Sequence, residues 1–144
     1  MGVIIRSAKA RDVAGLTVCI DLAYARYAKL GVKLPPVSEG VAEDIRDHHV
    51  WVADDAGQII GGLILMISEG SSKLANVAVH PDHGGRGIGR LLIDSAIDAS
   101  KAAGCHSITL VTHAAMPDNI HLYEHLGWRK TGAMDHKVFM SRPI

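Results

Sequence analysis

Apolar residues along the chain follow two spacings, and the switches between them mark out the elements. Val13, Leu16, Ile20, Tyr24, Tyr27 and Leu30 recur at steps of three or four, which predicts an amphipathic helix ended by Gly31. Ahead of it, Val3 to Arg6 is a short β-rich run, and Asp12 suits the first turn of the helix. Pro35-Pro36 forbids continuation, and Ser38 is placed to cap a second short helix through about Asp47. Val50 to Ala53 and Gln58 to Ile67 read as two strands around the turn Asp54-Asp55-Ala56-Gly57, a hairpin signal. Glu69-Gly70-Ser71-Ser72 is the next turn, and Leu74 to Val79 is a further strand stopped by Pro81.

Beyond a cluster of glycines, Ile88, Leu91, Leu92, Ala96, Ala99 and Ala103 share one face of a long helix that Gly104 terminates. Ser107 to Thr112 follows as a strand. Pro117 opens a short helix closed by Gly127, and Trp128 to Thr131 and Lys137 to Met140 finish as strands. The order β-α-α-β-β-β-α-β-α-β-β predicts an α+β fold. Its one crossover, strand 74–79, helix 87–103 and strand 107–112, should be parallel and right-handed.

At 144 residues one domain, 1–144, must supply every site the protein has. Lys and Arg number 15 against 15 for Asp and Glu, so no net field favours nucleic acid or an anionic membrane, and any anion site is local. The longest apolar stretch, Ile59 to Ile67, holds Gly61 and Gly62 and falls far short of the ~20 residues a bilayer span needs. With no signal-peptide pattern at the N-terminus, a cytoplasmic location is expected. Cys19 and Cys105 lack the spacing of a redox or zinc motif and are expected as buried, reduced thiols.

The chemistry concentrates in His80-Pro81-Asp82-His83-Gly84-Gly85-Arg86-Gly87-Ile88-Gly89-Arg90, which joins a strand end to a helix start. Several backbone N–H groups have no helical partner there. Glycines at 84, 85, 87 and 89 let the backbone approach a ligand closely, and the helix dipole adds partial positive charge. A phosphate or pyrophosphate satisfies both conditions. A Walker loop needs Gly-Lys-Ser/Thr at its end, whereas Arg90 and Leu91 follow Gly89. The dinucleotide fingerprint needs a glycine at position 90 and a carboxylate about 20 residues on, and has neither.

Val79-His80-Pro81 followed by Gly87-Ile88-Gly89 resembles the cofactor motif of the GNAT superfamily of N-acetyltransferases, in which Arg or Gln usually stands where this chain has Gly84. Asn119-Ile120-His121-Leu122-Tyr123-Glu124-His125-Leu126-Gly127-Trp128 resembles the second signature of that superfamily, in the expected order. Ala23 to Tyr27 and Ala114 to Asn119 further resemble a bacterial subgroup of it. The resemblance covers essentially the whole chain. It implies a mixed, mostly antiparallel sheet between helices, an α/β/α sandwich whose parallel pair splays at a coenzyme A site. It also implies that Gly84, Gly85, Arg86, Gly87, Ile88, Gly89 and Arg90 form the turn that binds the pyrophosphate of acetyl-CoA, largely through backbone amides. Strand 74–79 is then bulged, with Val77, Ala78 and Val79 at the cofactor; pantetheine pairs with backbone at Val77 and Val79, and an N–H near Val79 polarises the thioester carbonyl.

Asn119 and Tyr123, four apart on a helix, project from one face and can meet the same ligand. The resemblance places Tyr123 near the CoA sulfur as the acid for the departing thiolate. The implied reaction is direct attack of a primary amine, on a small molecule or peptide, with no acyl-enzyme and no metal. A protonated alkylamine needs a base. Glu69, Asn76 through a water, His80 and His113 are candidates, with His113 favoured because the end of its strand should face the acceptor. A non-catalytic CoA-binding sensor or interaction module on the same fold is the alternative. Single-domain members of the superfamily often pair, so a homodimer is an expected partner state.

His121 and His125 have metal-binding spacing, but Leu122 breaks the HExxH pattern and no metal is expected. Glu39, Glu43, Asp44 and Asp47 read either as a lure for a cationic acceptor or as the wet face of a helix. The loop Gly31 to Val37 is expected to cover the acceptor site.

Overall fold

The computed structural model describes residues 2–32 and 38–144, so most of the loop expected to cover the acceptor site lies outside the described residues. The elements are β1 (Ile4–Ser7), α1 (Val13–Lys29), α2 (Val41–Asp47), β2 (His49–Asp55), β3 (Gln58–Ser68), β4 (Ser71–Val79), α3 (Ile88–Ala102), β5 (Ser107–His113), α4 (Pro117–His125), β6 (Arg129–Met134) and β7 (Lys137–Pro143). The strands form one seven-stranded sheet in the order β1-β2-β3-β4-β5-β7-β6. Only β4 and β5 run parallel, joined by the crossover through α3; every other neighbouring pair is antiparallel.

Helices cover both faces. Leu16 and Ile20 of α1 and Val41 of α2 pack on Val50, Val52, Ile64 and Ala78. On the opposite face Ile88, Leu92, Ile93 and Ala96 of α3 meet Ile60, Leu63, Leu65 and Leu74, and this core continues through Tyr123 and Trp128. Two adjacent glycines of β3 set how closely these layers approach. A Cβ on Gly62 would overlap Leu16 Cδ1, and one on Gly61 would lie 3.0 Å from Ile88 Cγ2 and 3.2 Å from the Ala78 carbonyl. The missing side chains therefore let α1 and α3 sit down on the sheet centre.

The structure corrects local expectations. Ser38 does not cap α2; Gly40, left-handed at φ 82°, stands at the N-cap and turns the chain straight into Val41. The turn after β3 is shorter than Glu69 to Ser72, because β4 already begins at Ser71. On α3, Leu91 and Ala103 point outward, and Ile93 and Ser100 take their place inside. Ser100 tolerates burial because its hydroxyl bonds the Ser72 hydroxyl at 2.7 Å and donates to the Ala96 carbonyl at 2.8 Å. Leu30 lies past the last turn of α1 and is 76% exposed.

The start of α1 is tied to the sheet by charge. Arg6 donates to both carboxylate oxygens of buried Asp12 at 2.8 and 2.9 Å and to Asp54 at 3.1 Å, and the Lys9 N–H adds a further bond to Asp12. The Arg6 guanidinium is the main reason the Asp12 carboxyl is held down to about 2, from an unshifted 3.8. A depressed carboxyl pKa stabilises the fold above its unfolded value and loses that contribution as pH falls through the folded one. Denaturation midpoints measured between about pH 5 and about pH 2 should thus fall faster for the native protein than for Asp12→Asn. Parallel curves would remove this pair from the acid response.

Candidate functional site

Strands β4 and β5 begin as partners and then part. Their ladder runs over only four residue pairs, Ser71/Ser107 to Leu74/Leu110. Between Leu74 and Asn76 the register with β3 shifts, leaving Ala75 as the extra residue of a bulge. The bulge exchanges the faces of the strand. Ser72 and Leu74 point toward α3 before it, Val77 and Val79 do so after it, and Asn76 and Ala78 turn to α1.

Ladder geometry then decides which backbone groups are open. His80 N–H donates to the Ile60 carbonyl at 2.8 Å. Hydrogen-bonded pairs alternate along an antiparallel ladder, so Gly62/Ala78 and Ile64/Asn76 are bonded as well. The backbones of Val77 and Val79 accordingly face away from β3, into the wedge. The Val77 carbonyl accepts the Tyr24 hydroxyl at 3.2 Å. Ala78 differs from its neighbours: its backbone is engaged by β3 and its side chain is buried against α1, while the residue still borders the cavity beside α1.

The turn at the end of β4 presents a second set of open donors. The first bond closing α3 runs from Leu91 N–H to the Gly87 carbonyl, and no N–H from Gly85 to Arg90 donates to another described residue. Gly85 and Gly87 hold positive φ of 76° and 75°, which aligns successive amides as only glycine does without strain. Gly84 has an ordinary φ of −64°, and a Cβ there would meet only the Pro81 carbonyl, at 3.8 Å.

The flanking side chains depart from expectation. Arg86 donates to His83 Nδ1 at 2.8 Å and pairs with Asp55 at 3.5 Å, which holds it toward the end of β2. Arg90 lines a separate cavity of about 160 Å³ with His125 and Arg142. Ile88 packs its side chain into the core, leaving only its backbone to the turn.

Two cavities adjoin at the wedge. One, of about 560 Å³, runs between the second half of α1, Val77 to Pro81, Gly84, Gly89 and α4. The other, of about 410 Å³, is walled by residues 73–77 of β4, Leu110 to His113 of β5, Met116, and Asp135 to Lys137 between β6 and β7. Tyr24, Val77, Asn119 and Tyr123 line both. Asn119 and Tyr123 thus share one helical face, as their spacing requires. Tyr123 is anchored by Trp128, whose ring meets it edge-on at 5.8 Å and whose Nε1–H donates to the Ile108 carbonyl at 3.1 Å. Burial raises both phenols, Tyr24 up to about 12 and Tyr123 further still.

His113 lies in the second cavity, but its Nδ1 accepts the Ala115 N–H at 2.9 Å. The neutral ring then carries its proton on Nε2 and offers a donor, which opposes the base role expected from sequence. His136 stacks on it at 5.4 Å, and neither of its ring nitrogens is hydrogen-bonded among the described residues. Sequence reasoning passed over the Asp135-His136-Lys137 turn because nothing in its spacing marks chemistry. Of the other candidate bases, Asn76 lines the smaller cavity and its Oδ1 accepts the Tyr24 hydroxyl at 3.5 Å. His80 Nδ1 accepts the Asp82 N–H, and Glu69 lies at the closed end of β4, outside both cavities. Among the described residues no group of three His, Cys, Asp or Glu side chains is assembled for a metal, and no helix is long and apolar enough to cross a membrane.

With this geometry in hand, three comparisons bear on the chain. The profile of the acetyltransferase (GNAT) domain matches residues 46–130. N-acetyltransferase family 8 member 3 of Rattus norvegicus is 28% identical over 98 residues, 64% of this chain and 42% of that protein. The L-amino acid N-acyltransferase MnaT of Escherichia coli is 36% identical over 59 residues, 41% of this chain and 34% of that protein. The chain thus spans about two fifths of the length of these relatives. In fold, it is similar to the PaiA N-acetyltransferase of Thermoplasma acidophilum solved in complex with coenzyme A, with a TM-score of 0.90 over 100% of both chains at 18% identity.

Proposed function

The chain belongs to the GNAT acetyltransferase family, and from that premise we propose that it transfers an acetyl group from acetyl-CoA to a primary amine in a ternary complex in the cytoplasm. One observation carries the reading. Val77, Val79 and Tyr123 line the larger cavity together with Gly84 and Gly89 of the turn, whose N–H groups from Gly85 to Arg90 are open, so backbone edge, donor row and phenol lie around one cleft.

In this reading the diphosphate lies on the turn amides and the helix dipole. Pantetheine takes the place of a strand beside Val77 and Val79, and the thioester arrives where the two cavities meet. The amine enters from the smaller cavity and attacks the carbonyl carbon. The Val79 N–H stabilises the oxyanion, and the C–S bond breaks as the amide forms. The amine surrenders one proton and the departing thiolate gains one, so products are an N-acetyl amine and free CoA thiol.

Tyr123 serves the thiolate as a hydrogen-bond donor. Its raised pKa keeps the phenol protonated, and complete transfer to a thiolate near ~8.5 is uphill until the proton of the amine replaces it. His136, with its ring nitrogens open, accepts the amine proton, while His113 presents Nε2–H to the same cavity.

Free-thiol release from acetyl-CoA across a broad amine panel tests the reaction. Tyr123→Phe and His136→Gln should each lower kcat by roughly a hundredfold with the acetyl-CoA Kd unchanged. No release with any amine, together with tight CoA binding, would favour a non-catalytic CoA-binding module.

The turn makes an independent prediction for calorimetry with CoA. Gly84→Arg adds a cation beside the donor row at a position with room for a Cβ and should tighten binding by about three- to tenfold. Gly87→Val forces a branched residue into left-handed backbone, at about 1–2 kcal/mol, and should weaken it. Equal affinities for all three proteins would place the diphosphate elsewhere.

A further inference from the structure

The smaller cavity carries a charge pattern that the transfer reaction alone does not require. Lys73 enters its wall from β4 and Lys137 from β7, with β5 between them. Neither lysine forms an ion pair with any described residue. Among the described residues Asp135 is the only carboxylate lining the same space, beside His113 and His136. Two lysines thus face one carboxylate there. The acidic residues that could have drawn a polycation, Glu43, Asp44 and Asp47, sit on α2 and line neither cavity.

Resting on the acyl-transfer reading above, we infer that the acceptor is a small amine that itself bears a carboxylate, as a free α-amino acid does, with Lys73 and Lys137 recognising the anionic group. Three physical arguments converge. A polyamine would bring several positive charges against an excess of lysine, whereas a zwitterion supplies the missing anion. A cationic wall also disfavours the protonated ammonium of a bound acceptor, shifting it toward the neutral amine that attacks. Finally, about 410 Å³ suits a metabolite-sized ligand oriented by a few polar groups.

The test compares free amino acids, their carboxamides and linear diamines as acceptors, by thiol release. Free amino acids should exceed their carboxamides by about tenfold in kcat/KM. The Lys73→Gln/Lys137→Gln double variant should erase that ratio mainly through KM, leaving the acetyl-CoA Kd unchanged. Preference for carboxamides or diamines, or a ratio that survives in the double variant, overturns the inference.

Binding without turnover separates this inference from the reaction itself. N-acetylalanine and N-acetylalaninamide are titrated into protein saturated with CoA. Tighter, lysine-dependent binding of the carboxylate supports the subsite even if no amine is acetylated, an outcome that would count against acyl transfer alone. Equal binding of the two probes overturns it.

Discussion

A backbone amide or carbonyl that faces a protein interior without a partner is costly, and the architecture turns on where this chain leaves such groups open. The parallel ladder between β4 and β5 stops after Leu74/Leu110, and from there the two strands diverge. The edge of β4 thereafter bonds only to β3, so the other side of Val77 and Val79 looks into a gap. The gap opens a few residues before the β4–α3 turn, where the first amides of the helix are also unsatisfied. Two deficits of hydrogen bonding thereby lie end to end. A ligand with alternating amides and a terminal anion would satisfy both.

The rest of the fold holds that gap open. The bulge at Ala75 lets β4 turn Val77 and Val79 toward α3 while Leu74 stays in the core. Gly61 and Gly62 draw α3 and α1 close on opposite faces of β3, which brings the helical N-terminus beside the end of β4 and Tyr24 over the wedge. Trp128 fills the base of α4, and its indole bond to Ile108 fixes the height at which Tyr123 stands. Each device is a packing constraint, and each is far from the reacting atoms in sequence.

Much of this was legible in the residues. The element order came from periodicity, because both the helical and the strand spacings are long and well punctuated by glycine and proline. The donor row and the Asn119/Tyr123 face were readable because local sequence alone determines a helix start and an i, i+4 pair. What stayed hidden depends on contacts across the fold. Arg86 reads as an anion contact until Asp55 and His83 are seen to hold it. Ala78 reads like its neighbours until the bulge assigns it to the opposite face. His113 reads as a base until the Ala115 amide takes its Nδ1, and the β6–β7 turn acquires meaning only when β7 pairs beside β5. Leu91 and Ile93 exchange places because helical periodicity sets the width of a buried face better than its centre.

The bond from the Tyr24 hydroxyl to the Val77 carbonyl has a bearing on solubility. An open wedge is an internal strand edge, and strand edges attract foreign extended chains. Here one acceptor is already occupied by a side chain from α1. The tyrosine that borders both cavities thereby masks one backbone acceptor of that edge.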